Sequence, residues 1–146
     1  MSQSKPEYEH LKEFRTIAEK LVNMYPEVLD GIDTKVIQGV VITNKDPKDD
    51  DKDKYEIRNV PYPIRMDTAF DYYVIFNQKI WDGFDEAHQN ALVMKALLRI
   101  SKEGDAKVVP YDLKDHAIMV RKLGVDYLDN QSIPNILTTK VDWTKE

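Results

Sequence analysis

The chain has 146 residues, of which 42% are apolar and 32% are charged, and this composition is typical of one globular domain. Its 26 acidic and 21 basic residues leave a net charge of −5, an imbalance too small to indicate a nucleic-acid duplex or an anionic membrane as the partner. The absence of cysteine excludes disulfides, thiolate nucleophiles and cysteine-based zinc sites, so a metal would need His, Asp or Glu ligands.

Residues 6–25 show the apolar spacing of an amphipathic helix. The apolar side chains recur at steps of three and four and so line one face: Leu11, Phe14, Ala18, Leu21 and Tyr25. Pro6 suits the first turn of a helix, and Pro26 disfavours helical dihedral angles at the residue before it. The pattern therefore predicts a first helix from Pro6 to about Tyr25.

Three short segments predict strands. Residues 36–42 are rich in β-branched side chains, residues 55–58 alternate apolar and charged side chains, and residues 72–76 are the most strand-like of all. Residues 44–54 contain no apolar side chain, so they cannot offset the entropy lost on ordering. We expect this acidic segment to be a mobile hairpin tip.

Two further helices are expected in the second half of the chain. Asp85 can cap a long, buried helix over residues 85–102 that Gly104 ends, and a last helix is expected from about Asp112 to Gly124. The tail, 130–146, is irregular, although five apolar residues could pack it against the body: Ile133, Ile136, Leu137, Val141 and Trp143.

These elements predict a single α+β domain over residues 1–146. We expect an N-terminal helix, a small and mostly antiparallel sheet of about three or four strands, and two helices packed on one face.

The order of the elements resembles that of the phage metallopeptidase family, a family of small zincin-like domains. The similarity runs from about Glu13 to Tyr127. The shared features are Trp81, Leu97, Leu98, Asp112 and Gly124. In that family the long helix carries His-Glu-Leu-Leu-His, in which two histidines bind zinc, the glutamate polarises a water, and a third ligand comes from the opening of the last helix.

The resemblance implies that this chain lacks each of those groups. Lys95 and Arg99 occupy the histidine positions, Ala96 the glutamate position and Tyr111 the third-ligand position, whereas Asp112 is kept beside it. Ammonium and guanidinium groups offer no lone pair to a cation, and a methyl group cannot polarise water. The resemblance thus implies a zincin-like pseudoenzyme with no cofactor.

Two interpretations of the basic positions remain open. Lys95, Arg99 and Tyr111 could form a cationic pocket that holds a carboxylate or phosphate of a partner. Alternatively, Lys95 and Arg99 form a solvated or salt-bridged helix stripe, paired with Asp112 or Asp115.

A relocated zinc site is an alternative that would make the chain a true hydrolase. The chain has three histidines, and His88 and His116 could meet if the two helices cross, with Asp85 or Asp112 nearby. The default interpretation of each histidine, His10 included, is an ordinary surface or capping residue.

The aromatic side chains indicate a protein partner. Tyr55, Tyr62 and Trp81 are candidate anchors on the rim of a cleft that has lost its chemistry. If the chain is phage-encoded, the expected partner is a host protein of defence, nuclease, transcription or replication function, which the chain binds and modulates or inhibits. A further alternative is an acidic nucleic-acid mimic that uses these carboxylates: Asp46, Asp49, Asp50, Asp51 and Asp53.

The distribution of apolar residues also predicts where in the cell the protein is found. No apolar run approaches the roughly 18–20 residues that span a bilayer, and the first residues lack the apolar segment of a secretory signal. We expect a soluble cytoplasmic protein, in the host cytoplasm if a phage encodes it. Neither a membrane nor nucleic acid is expected as a partner, and the oligomeric state is left open.

Overall fold

The fold is known from a computed structural model that describes residues 7–43, 54–60, 66, 68–100, 117–123, 127–129 and 132–143. Within these ranges the chain is α+β. The strands are β1 (Glu7–His10), β2 (Ile37–Thr43), β3 (Glu56–Asn59) and β4 (Tyr72–Asn77). The helices are α1 (Lys12–Met24), α2 (Pro26–Leu29), α3 (Gln78–Gly83), α4 (Glu86–Leu97) and α5 (Ala117–Leu123), with 3₁₀ turns at Thr34–Val36 and Tyr127–Asp129.

The four strands form one mixed sheet in the order β1-β2-β4-β3. The central strands β2 and β4 are parallel, whereas β1 and β3 pair with them antiparallel at the two edges. Two of the three described pairs are antiparallel, in agreement with the prediction of a mostly antiparallel sheet, but the parallel central pair was not predicted. The reason is strand order, since β3 precedes β4 in the chain but lies at the far edge, so that β4 enters beside β2.

The predicted start of the first helix is wrong, because residues 7–10 form β1. Glu7 pairs with Thr43 and His10 pairs with Val40, and the following backbone N–H of Leu11 donates to the Gly39 carbonyl at 2.9 Å. The helix begins only at Lys12. Its apolar spacing also begins only at Leu11, so nothing but Pro6 had favoured helix upstream.

The helix α4 confirms the prediction of a deeply packed helix, with nine of its residues buried. It ends at Leu97 and does not continue to residue 102 as predicted. Residues 98–100 form a tighter turn, in which the backbone N–H of Arg99 donates to the Ala96 carbonyl at 3.0 Å. Gly104, the predicted stop, lies outside the described residues.

The last described helix lies within the range predicted for it, and two of the apolar residues of the tail are buried. Helix α5 ends at Leu123, while residues 112–116 lie outside the described ranges, as do 44–53 of the acidic segment. In the tail Ile136 and Trp143 are buried in the main core. The side-chain amide of the buried Asn90 in α4 donates to Asn135 Oδ1 at 2.7 Å and so fixes the tail to that helix.

Among the described residues, none of the helices combines the length and the apolar content that a membrane span requires.

Candidate functional site

The C-terminal end of α4 holds a buried lysine between two tyrosine rings. Lys95 Nζ lies 6.0 Å from the ring centroid of Tyr55 and 5.8 Å from that of Tyr127. The lysine is 8% exposed, and the two tyrosines are 5% and 1% exposed. A desolvated ammonium is attracted to the electron-rich faces of aromatic rings. Lys95 is therefore an internal cation, and the solvated-stripe interpretation does not fit it.

Three distant parts of the chain build this arrangement. Tyr55 directly precedes the edge strand β3, Lys95 stands in the last turn of α4, and Tyr127 opens the 3₁₀ turn after α5. The hydroxyl of Tyr127 also contacts Met119 Sδ at 3.4 Å, which ties the turn to α5. Sequence reasoning missed Tyr127 as a neighbour of Lys95, because no local spacing relates the two residues.

Ala96 and Arg99 differ in their surroundings. Ala96 has no exposed surface and belongs to the main core. Arg99 is half-buried and follows the end of α4, in the turn closed by its backbone hydrogen bond to Ala96. Lys95 thus lies within the regular part of α4, whereas Arg99 lies in the turn that follows it.

Tyr111, Asp112 and Asp115 lie outside the described residues. The cationic pocket that would include Tyr111 therefore stays a prediction, and so does a salt bridge to either aspartate. The described part of the proposed ligand helix does not fit a zinc ion, because a lysine ammonium and a methyl group supply no ligand atom.

The other end of α4 carries a histidine and a carboxylate in direct contact. Asp85 Oδ1 accepts a hydrogen bond from the backbone N–H of His88 at 2.8 Å and lies 2.6 Å from His88 Nδ1. The Phe84 ring lies 5.5 Å from the imidazole, centroid to centroid. The backbone N–H and the ring of His88 lower the pKa of the Asp85 carboxyl. Asp85 is thus confirmed as the N-cap of α4.

The relocated zinc site is only partly covered by the structure. The structure places Asp85 and His88 in contact. His116 lies outside the described residues, and His10 is exposed on β1. The described ranges contain no group of three or more His, Asp or Glu side chains that could hold a metal ion.

Replacing Asp85 with alanine should lower the melting temperature by roughly 3–6 °C at pH 7, because α4 loses its capping acceptor. Asp85→Asn should keep most of the cap but lose the charge. Since the pKa of Asp85 is lower in the folded chain, its charge stabilises the fold above the unfolded value near 3.8 and this contribution disappears as the pH falls through the folded pKa.

Thermal denaturation of the three proteins at pH 7 and below pH 4 tests this reasoning. The difference between the wild type and Asp85→Asn should shrink in acid. An alanine variant that melts within about 1 °C of the wild type at pH 7 would contradict the capping role.

Two of the predicted partner anchors prove to be core residues. Trp81 is 4% exposed, and its ring centroid lies 5.0 Å from that of Phe76. Tyr55 is also buried, beside Lys95. Tyr62 lies outside the described residues. Tyr8, in contrast, is a large side chain that is 57% exposed. Sequence analysis missed it as a candidate anchor because it placed residues 6–10 in a helix.

The model of the family described as "Putative phage metallopeptidase" matches residues 6–139, a longer stretch than the resemblance in the sequence suggested. The chain therefore belongs to that family. Neither a curated protein nor a solved structure matches it.

Proposed function

We propose that this chain is a non-catalytic, zincin-like member of its family, and that it acts by binding a host protein. The observation that carries this proposal is the state of α4 at the position of the family's ligand motif. There the chain places a buried lysine between two tyrosine rings, followed by an alanine with no exposed surface.

Electrostatics supports the loss of metal binding at this position. A divalent cation near the buried Lys95 ammonium would be repelled, and the repulsion between like charges is strong where the dielectric constant is low. The ammonium has no lone pair to donate, and Tyr55 and Tyr127 already contact its charge through their ring faces.

Packing supports the loss of the general base. The side chain at position 96 is enclosed by the core, so a water molecule has no access to it. A carboxylate introduced there would be desolvated, and alanine avoids that cost. A fold that keeps this helix but lacks the catalytic groups still offers the surface around them. Such a surface can bind a partner although it cannot catalyse a reaction.

The family's description supports the proposed kind of partner. If a phage encodes the chain and it acts in the host cytoplasm, the partner is a bacterial protein of defence, nuclease, transcription or replication function. The alternatives of a hydrolase with a relocated site and of an acidic nucleic-acid mimic depend on residues outside the described ranges.

Metal analysis of the purified full chain tests the non-catalytic half of the proposal. After dialysis against zinc and then buffer, we expect less than about 0.1 zinc per chain, because three or more ligands are needed to hold the ion. The chain should also cleave neither casein nor fluorogenic peptides. About one zinc per chain that His88→Ala removes, or cleavage that a chelator stops, would overturn the proposal.

A gain-of-binding variant serves as the matched comparison. Lys95→His, Arg99→His and Tyr111→His combined should raise zinc retention at least about tenfold over the wild type if these positions correspond to the family's ligands. Circular dichroism checks that the variant is folded. If the wild type and the folded variant retain equal amounts of zinc, positions 95, 99 and 111 do not correspond to the family's zinc ligands.

Affinity capture from bacterial lysate with the tagged full chain tests the binding half. We expect one host protein at near-equal stoichiometry that reassociates with the chain when both are purified. If purified components do not associate, the proposed binding function is wrong.

A further inference from the structure

In the edge strand β1, the backbone N–H and C=O groups of two residues, Tyr8 and His10, point away from the sheet. The N–H of Leu11 bonds to Gly39, the residue opposite it, and bonded pairs alternate along an antiparallel ladder. Glu7 and Glu9 therefore direct their backbone groups toward β2, and the Glu7 carbonyl also accepts from Thr43 Oγ1 at 3.3 Å. Tyr8 and His10 direct their N–H and C=O groups to the open side, where no described strand pairs with them.

The side chains of β1 have different chemistry on the two faces of the sheet. Tyr8 and His10 lie on the face opposite to the helices, whereas Glu7 and Glu9 lie on the helical face, since successive side chains alternate. All four residues are exposed.

The outer face holds an open concavity of about 330 Å³ beside β1. Its lining consists of Tyr8, His10, Val40, Arg58, Tyr73 and Ile75. Val40 and Ile75 form an apolar floor, at 8% and 6% exposure. The Arg58 charge is largely neutralised, since its Nε lies 3.1 Å from Glu56 Oε1 and its Nη2 3.2 Å from Glu56 Oε2. Glu56, and then Tyr8, raise the pKa of Arg58. This face suits an uncharged aromatic or aliphatic side chain.

The helical face holds a second, smaller concavity beside the same strand. Its volume is about 220 Å³, and its described lining includes the carboxylates of Glu9, Glu13 and Asp82 beside one lysine, Lys12. The rest of the described lining consists of His10, Leu11, Val41, Gln78 and Trp81. This face suits a basic side chain. No residue of α4 lines either concavity.

We propose that β1 binds an extended segment of another protein in which basic side chains alternate with aromatic or aliphatic ones. The segment adds a strand to the sheet and pairs with the outward backbone groups of Tyr8 and His10. Its basic side chains reach Glu7, Glu9 and the acidic concavity, and its apolar side chains reach the floor of Val40 and Ile75. This surface goes beyond the proposed function, because it would bind equally if α4 proved to be catalytic.

Charge selects this occupant over a second copy of the chain. A two-fold axis that continued the sheet through β1 would place Glu7 and Glu9 opposite glutamates of the other copy, and like charges directly opposite one another are destabilising. The same carboxylates repel a phosphate backbone, and Arg58 is already paired with Glu56.

The experiment titrates the ¹⁵N-labelled full chain with a capped peptide that alternates lysine with valine and tyrosine. We expect a dissociation constant on the order of 100 µM that weakens with salt, with amide shifts concentrated at Tyr8, His10 and their neighbours. The same peptide with glutamate in place of lysine should bind at least about fivefold more weakly.

Backbone pairing is tested with N-methylated peptides. Methylation of the alternate amides that face β1 should weaken binding at least about tenfold, whereas methylation of the other alternate set should leave it within about twofold. Equal sensitivity to the two sets would mean that the peptide does not pair with β1 and would overturn the proposal.

Charge selection is tested with a matched pair of variants. Glu9→Lys should lower the affinity for the basic peptide about fivefold and raise the affinity for the acidic peptide. Glu19→Lys makes an equal charge change on the exposed face of α1 and should leave both affinities within about twofold of the wild type. Failure of the basic peptide to bind, competition by single-stranded poly(dT), or a dimer that Tyr8→Pro dissociates would each overturn the proposal. Since none of these readouts involves zinc, they fail or succeed independently of the metal analysis.

Discussion

Replacing Gly39 with alanine is expected to lower the free energy of unfolding by about 3 kcal/mol, because β2 and α1 have no room for a methyl group between them. A Cβ at position 39 would lie 2.4 Å from Phe14 Cβ and 2.6 Å from Phe14 Cγ. The nearer atom is held by the backbone of α1, so rotation of the phenylalanine ring cannot relieve the contact. The helix itself would have to move off the sheet.

Urea denaturation of Gly39→Ala beside Gly83→Ala measures this effect. Gly83 ends α3, and a Cβ there would meet nothing within 4 Å. Its replacement should leave stability unchanged or raise it by up to about 1 kcal/mol, since glycine is a poor helix former. Truncation of Phe14 to alanine should not rescue Gly39→Ala, because Cβ of residue 14 remains. Equal stability of the two glycine variants would show that α1 does not pack directly on β2.

The Tyr25→Phe variant is expected to lose about 2 kcal/mol of stability, because two backbone groups of the tail lose their hydrogen-bond partner. The Tyr25 hydroxyl donates to the Ile136 carbonyl and accepts from the Val141 N–H at 3.1 Å. Phenylalanine keeps the ring and its edge contact with Trp143, at 5.7 Å between centroids, but leaves both backbone groups without their partner. The amide of Val141 should then exchange with solvent much faster.

The same hydroxyl predicts an alkaline limit to stability. Burial raises the pKa of Tyr25 from its ordinary value of 10.0, an effect that the Val141 hydrogen bond only partly opposes. The folded chain therefore holds this proton more tightly than the unfolded chain, so the stabilisation is complete below pH 10 and is lost as the pH rises through the folded pKa.

Denaturation and hydrogen exchange of Tyr25→Phe and Tyr73→Phe test both statements. Tyr73 is half-buried on the outer face of the sheet, so its variant should change stability by less than about 0.5 kcal/mol and keep the alkaline decline. A Tyr25→Phe variant with unchanged exchange at Val141 would show that the hydroxyl does not hold the tail.

The strongest predictions from the sequence concern elements whose signal is local. The β-branched segment near Val40, the strand at Tyr72 and the capping aspartate Asp85 are all found where local rules place them. The resemblance drawn from element order is confirmed as family membership over residues 6–139. Lys95, Ala96 and Arg99 carry no zinc-binding group, and their correspondence to the family's ligand motif stays a proposal.

The errors arise where distant segments decide the outcome. Residues 7–10 have no strong preference of their own, and they form a strand because β2 offers them an edge to pair with. The aromatic residue Trp81 has the chemistry of a partner anchor, yet packing against Phe76 places it in the core.

By itself the sequence determined the family and those helices and strands whose signal is local, because each depends on residue identity or on spacing within one segment. Only the tertiary structure decided the parallel central pair of strands, the contact of Lys95 with the rings of Tyr55 and Tyr127, and the edge position of β1 among the described strands. Those features depend on which distant segments become neighbours, and that choice is made by burial of the whole core.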